Sequence, residues 1–390
     1  MTAVTARVAE PKPRVLLLIH ELSLSGAPNV AINAFRKIAG QVELRTVARG
    51  VAVNEDQVRQ FEELGPLSIV SVDAPASQLQ RSLNAGARKP WRPTVMYVNS
   101  VVSLRIARSL EFPDVPVLLH VHELESYLED AARTEPDLLL RLPQRYIAAS
   151  DAVKRSLIAV GVRAEKISVV TTFVRAEEFA RPIVRAPIAA WDSGSGSGSG
   201  DVPLVVGGVS VSKWHKGDTL WMLMAAELTK LLGRDRVRFL AIGVDDDENG
   251  RNFRMMARKL ELDSILEIIP FTREPLTYLD WCDVVAVTSW EESASMVSLE
   301  AMMLRKPVVC FAGSGGPPEL LGDTGVVIDH FSPAEMARAI AELAASRDRR
   351  RSLGQAAHDR ASSSFTDDIQ APKILAEIQV LARDPSRAGA

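Results

Sequence analysis

An α/β protein built on two doubly wound parallel sheets is the fold class this sequence predicts, and three observations carry it. Short apolar runs alternate with helix-period stretches along the whole chain. Two of those runs, residues 15–19 and 204–206, each lead through a glycine-containing loop into a helix, the way a doubly wound sheet begins. Between them, residues 194–200 alternate strictly Gly and Ser, a flexible-coil composition that splits 390 residues into two lengths, each long enough for its own core.

In the first half, strands are expected at 15–19, 42–47, 67–72, 94–98, 117–121, 146–149 and 167–171. They are mostly continuous aliphatic runs, as strands covered on both faces require. The first feeds the loop 20–28, which holds Gly26, and then a helix through Val30, Phe35 and Ile38. Asn99-Ser100 and Ser150-Asp151 set capping side chains directly after strands. The fifth strand ends in His120-Val121-His122-Glu123, and a strand-end histidine is ordinarily packed or hydrogen-bonded.

The second half repeats the pattern, with strands at 204–206, 239–243, 265–271, 283–287, 307–311 and 326–328. Gly207-Gly208 reads as a turn, and Lys213, His215 and Lys216-Gly217 follow at a helix start. Free N–H groups and lysine charge together suit a phosphate there. Asp245-Asp246-Asp247 would suit a metal–diphosphate site, but no other ligand accompanies them and a solvated loop is expected, without a metal. Phe271-Thr272 forms a turn, and Tyr278 and Trp281 are expected to pack on the following helix. Helices at 333–345, 349–362 and 365–381 close the chain.

Residues 289–321 are the densest in signal. Ser293 and Ser295 both suit the N-cap of a helix through Glu300 to Arg305, which Lys306-Pro307 ends. Residues 313–316 then turn into another helix start. Two helix N-termini on one sheet edge describe an anion site, most simply for phosphate. Glu292 and Glu300, with seven residues between them, suit sugar or ribose hydroxyls, which carboxylates accept from.

This segment resembles the signature of the retaining family 4 (group 1) glycosyltransferases, whose fold is GT-B. The family pattern is Glu, seven residues, Glu, Ala-Met, a strand beginning Pro-Val-Val, and Gly-Gly before a Glu. Here it reads Glu292, Glu300, Ala301-Met302, Pro307-Val308-Val309, Gly315-Gly316 and Glu319. The resemblance implies two Rossmann-like domains facing a cleft. Residues 1–183 would form the acceptor side and 204–364 would bind the nucleotide sugar. The segment 184–203 would join them, and the strict regularity of its Gly-Ser repeat marks that repeat as an engineered replacement for a native loop. A helix over 365–383 would cross back onto the first domain.

The implied activity moves a sugar from a nucleoside-diphosphate donor to a hydroxyl acceptor, with retained anomeric configuration, no metal and no permanently bound cofactor. A lipid-linked or polysaccharide acceptor, in surface polysaccharide or glycolipid assembly, falls within the family's range. By the same resemblance His122, with His120 as the second candidate, Lys216 and Glu292 are catalytic. Gly26, Gly208, Lys213, His215, Phe271, Thr272, Ser293, Ala294, Ser295, Met296, Val297 and Glu300 bind the donor. The chain departs from the pattern at three places. Ser25 stands where a second glycine is common, and His215 or Val211 where the family has an arginine. Ser293-Ala294-Ser295 replaces a glycine-rich segment, narrowing the pocket in a way that suits an unusual or deoxy sugar. A sugar-nucleotide epimerase and a non-catalytic sugar- or partner-binding module remain the alternative readings.

The net charge of −3 argues against a nucleic-acid partner. Residues 1–190 hold 24 Lys and Arg against 20 Asp and Glu, the remainder 22 against 29, so a mildly basic front half would suit an anionic membrane surface. No apolar run reaches the roughly 18 residues of a spanning helix. With no signal-like core near the start, a cytoplasmic location is expected, with peripheral association at the inner membrane face. Cys282 and Cys310 lie in apolar contexts and read as buried thiols.

Overall fold

A computed structural model describes residues 11–50, 53–71, 77–78, 81, 83, 90–110, 112–188 and 202–383. The Gly-Ser alternation and the first ten residues lie outside them. The first lobe holds strands β1 (Arg14–Ile19), β2 (Glu43–Arg49), β3 (Leu67–Val70), β4 (Val95–Asn99), β5 (Val117–Val121), β6 (Arg145–Ala148) and β7 (Ile167–Val169). They form one parallel sheet in the order β3-β2-β1-β4-β5-β6-β7. The second lobe holds β8 (Leu204–Val209), β9 (Val237–Ile242), β10 (Leu266–Ile269), β11 (Val284–Val287), β12 (Val308–Phe311) and β13 (Val326–Ile328). These form a second parallel sheet, ordered β10-β9-β8-β11-β12-β13. In each sheet the strand order reverses beside the lobe's first strand, the place where such sheets bind ligands outside their carboxyl ends.

Continuous aliphatic strands explain the layering. β4 and β5 are buried along their whole length and β1 from Val15 onward, so helices must cover both faces. One face of the first sheet packs around Leu16, Leu18, Val98 and Leu119. The other packs around Leu17, Phe35, Tyr97 and Phe173, and Ile374, Ile378 and Leu381 of the last helix, Asp367–Arg383, complete it. The chain's final helix therefore belongs to the core of the first lobe, as the sequence implies. Arg145 Nε donates to Glu377 on that helix at 2.6 Å, and Ser168 Oγ donates to the same carboxylate at 2.6 Å.

Several local expectations change. The last helix starts at Asp367, because Phe365 ends the preceding helix, Arg347–Ser364, and packs under the Arg360 guanidinium. β10 stops at Ile269, so Phe271 lies in the turn beyond it. Gly207 and Gly208 belong to β8, and the tight turn comes at Ser210, whose φ is +54°. A Cβ on Gly207 would meet the Cys282 thiol, and one on Gly208 would lie 2.7 Å from Trp221 Nε1. Both glycines answer to close packing inside the second lobe. Trp281 packs on the interdomain strand of chain, its Nε1 donating to Ala186 O at 2.8 Å and its ring under Arg185.

Candidate functional site

The carboxyl edge of the second sheet gathers the strongest sequence signals. After β8 a short 3-10 turn, Trp214–Lys216, carries Lys213 at its cap, and Gly217 then takes a left-handed φ of +74° before the helix Asp218–Leu232. Any Cβ at Gly217 would run into the Thr288 carbonyl. Thr288 Oγ1 donates to Lys216 O at 2.9 Å, so the end of β11 holds this loop in place. Lys213 and His215 are exposed on its outer side. Desolvation and the Lys216 charge push the His215 imidazole down, disfavouring its charged form.

Lys216 Nζ makes an ion pair with Glu292, and Ser289 Oγ donates to the same carboxylate oxygen at 2.9 Å. A water-sized recess of about 10 Å³ lies against Lys216, Thr288, Ser289, Glu292 and Val297. The helix Met296–Met303 points its N-terminus into this region. Only Ser295 caps it, its Oγ accepting from Ser298 N at 3.2 Å, and Ser293 does not. The amides of Met296 and Val297 have no intrahelical acceptor at that position.

The second expected helix N-terminus has few amides left for an anion. Gly316 N donates to Glu292 O at 2.8 Å, and the first two residues of the helix Pro317–Leu321 are prolines with no N–H to offer. Glu292 N in turn donates to Ser314 O at 2.8 Å, so this glycine loop is a brace for the Glu292 backbone. The Ser293 carbonyl abuts Gly316, and Ser293 and Ala294 are half-buried there.

Glu300 lies on the helix's inner side, half-buried, near Glu178. Desolvation, with the Glu178 charge adding to it, pushes its carboxyl up to about 8. Phe271 is 52 % exposed, and its N–H donates to Asp245 Oδ1 at 2.8 Å. Thr272 Oγ1 accepts from Glu274 N at 3.1 Å. The three aspartates each have structural partners: Asp245 holds the Phe271 turn, Asp246 faces Arg254 at 3.6 Å, and Asp247 caps the helix Glu248–Lys259.

The first lobe brings its own carboxyl edge opposite. Gly26 opens the helix Gly26–Ile38, and a Cβ there would sit 3.9 Å from Met296 of the other lobe. The Met296 side chain packs against the cores of both lobes. His120 is fully buried, its Nδ1 2.5 Å from Tyr97 OH. His122 is half-buried with Nε2 3.0 Å from Asn99 Oδ1. Desolvation and the neighbouring His20 push its imidazole down to about 3.

Residues that sequence alone did not mark as site residues join the lobes. Glu291 accepts from Ser126 N at 3.2 Å and Ser126 Oγ at 2.6 Å, at the start of the helix Glu125–Thr134. Glu319 accepts from Asp151 N at 2.8 Å and pairs with Arg155 at 2.7 Å, at the start of Asp151–Ala159. Arg273 pairs with Asp56 across the same interface.

Residues 201–360, the whole second sheet with its helices, match the family model described as glycosyl transferases group 1. The second lobe is a group 1 glycosyltransferase domain. Among relatives, a D-inositol 3-phosphate glycosyltransferase of Corynebacterium kroppenstedtii is 32% identical over 155 residues, 38% of this chain and 34% of that protein. The amylovoran biosynthesis glycosyltransferase AmsD of Erwinia amylovora is 30% identical over 114 residues, 29% of this chain and 32% of that protein. This chain thus spans about a third of the length of the curated relatives it matches. Anabaena Alr3699/HepE, solved in complex with UDP-glucose, is similar with a TM-score of 0.75 and 19% identity, over 94% of this chain and 99% of that one. Sucrose-phosphate synthase from Thermosynechococcus elongatus gives 0.69 and 16%, over 96% and 100%. Beyond the group 1 domain, these likenesses speak of the fold, which is GT-B: two Rossmann-like lobes facing a cleft.

Proposed function

We propose that the chain transfers a sugar from a nucleoside-diphosphate donor to a hydroxyl acceptor, retaining the anomeric configuration and using no metal. The observation that carries this reading is the Lys216–Glu292 pair set before the Met296–Met303 N-terminus, inside the group 1 domain. A diphosphate arriving there competes for Lys216, and Glu292 is released to accept from hydroxyls of the donor sugar. Lys216 and the Met296 and Val297 amides then face the charge that develops on the leaving group. Lys213 adds a point charge, and Gly208 supports the loop from within β8. Glu300 takes the ribose hydroxyls, the Phe271-Thr272 turn borders the base, and His122 and the Gly26 helix start form the opposite wall.

In the reaction the anomeric C–O bond to the diphosphate breaks and its electron pair leaves with the phosphate oxygen. The acceptor oxygen bonds to the same face of the anomeric carbon. Its proton passes to the departing phosphate, so no protein nucleophile is needed. Ser293 and Ala294, wedged against Gly316, leave less room than a glycine-rich segment and favour a donor sugar lacking bulk at that edge. A polysaccharide or lipid-linked acceptor, met at the cytoplasmic membrane surface, is supported by the part the Erwinia relative takes in amylovoran biosynthesis and by the basic bias of the first half.

The test is a thermal-shift and turnover panel of nucleoside-diphosphate sugars on wild type, Lys216→Ala and Glu300→Ala. One donor at about 100 times its Kd should stabilise the wild type by about 2.7 kcal/mol. Lys216→Ala should lower kcat by about 10²–10³-fold. NMR of the product should show the donor's anomeric configuration kept. Absence of any shift and any nucleoside-diphosphate release would favour a non-catalytic module, and sugar-nucleotide conversion without acceptor would favour an epimerase.

A further inference from the structure

We propose that Asn99 is a positioning residue that fixes His122 as its Nε2–H tautomer, leaving Nδ1 as a lone-pair acceptor for a donor-sugar hydroxyl; the sugar contact rests on the functional reading above. The chemistry of the partners sets the assignment. Asn99 Nδ2 lies 3.0 Å from Ala27 O, and a carbonyl oxygen only accepts, so the amide nitrogen must face it. The amide oxygen is then turned to His122 Nε2 at 3.0 Å. That oxygen also only accepts, so Nε2 carries the proton. Burial and His20 keep the ring neutral, which leaves Nδ1 bare. No described residue bonds Nδ1.

The surrounding residues hold Asn99 firmly. It is fully buried at the end of β4, and its carbonyl accepts from Ser103 Oγ at 2.7 Å. Ser100, the next residue, is buried at a φ of +84°, a strained conformation for a residue with a side chain. Glu123 stabilises that corner by accepting from the Ser100 hydroxyl, from Val101 N at 3.2 Å and, with its other oxygen, from His122 N at 2.9 Å. One carboxylate thus fixes both the strand end that bears Asn99 and the backbone that bears His122. His120 stacks behind, with ring centroids 4.1 Å apart, and is itself engaged by Tyr97. A neutral acceptor is the state that suits the site, because an imidazolium would repel positive charge developing on the sugar.

The experiment is ¹⁵N NMR of protein labelled at its six histidines, with the His122 signals assigned by their loss in His122→Gln. At about pH 7, well above its lowered pKa, His122 should show a protonated Nε2 and a bare Nδ1. Asn99→Asp, which keeps the acceptor oxygen, should keep that tautomer and raise the pKa of the ring. Asn99→Leu should mix the tautomers. A nucleoside-diphosphate sugar that raises the melting midpoint should shift Nδ1 and leave Nε2 protonated. A wild-type Nδ1–H tautomer, an imidazolium, or an Nδ1 signal unmoved by a stabilising donor would overturn the proposal. If the expected tautomer is found but no nucleotide sugar stabilises the protein, the failure belongs to the glycosyl-transfer reading, and the Asn99 assignment stands.

Discussion

Glu300 shows how a desolvated carboxylate couples stability to pH. Its folded-state pKa is raised from an ordinary 4.5 to about 8, chiefly by desolvation, so the folded protein holds a proton that the unfolded chain releases. Stability from this group is therefore present below about pH 4.5 and is lost as pH rises towards 8. Glu300→Gln should match wild type in acid and exceed it progressively up to about pH 8, as read by denaturant midpoints across pH. A wild-type advantage that grows with pH would show that the carboxylate is ionised and paired. The Glu292 result differs in kind. Both glutamates were legible as a spaced pair in the sequence, but the Lys216 partner lies 76 positions away, and no local pattern encodes such a contact.

At the scale of elements, most of the strands and helices follow from continuous apolar runs and side-chain caps. Ser150 accepts from Val153 N, and Ser295 from Ser298 N, each directly after a strand or loop as the sequence suggests. Ser295→Ala should cost about 1 kcal/mol by urea unfolding. It should weaken donor binding too, because the same helix start faces the recess. Gly217→Ala should be worse than an ordinary glycine replacement, since the left-handed φ and the Thr288 carbonyl both oppose a methyl group. The misreading of the Gly315-Gly316 helix start has a simple cause. A glycine loop followed by a helix looks like an anion cradle, but Pro317 and Pro318 remove the donors and Glu292 occupies the Gly316 amide. Likewise Gly207-Gly208 reads as a turn until Cys282 and Trp221 are seen packed against it. These contacts are tertiary, and sequence spacing does not record them.

For the whole molecule, the lobes meet through carboxylates that cap helices of the opposite lobe. Glu291 and Glu319 each satisfy amides that a helix start otherwise exposes. Exposed pairs of this kind are worth about 0.5 kcal/mol each. Glu291→Gln combined with Glu319→Gln should therefore shift the open-to-closed ratio several-fold, seen as a larger radius of gyration in solution scattering without donor. An unchanged radius would mean that Met296, the Arg273–Asp56 pair and the last helix set the closure.

The last helix has a consequence for how the protein is made. Ile374, Ile378 and Leu381 complete a core whose strands begin at Arg14, so the second lobe is in effect spliced into the first. On the ribosome, the opening sheet must wait, with one face only partly covered by the helix Gly26–Ile38, while nearly two hundred further residues are synthesised. The second lobe meets no such delay, because all six of its strands and their covering helices lie between Leu204 and Ser364. The part of the chain translated later can thus reach its native packing before the part translated first.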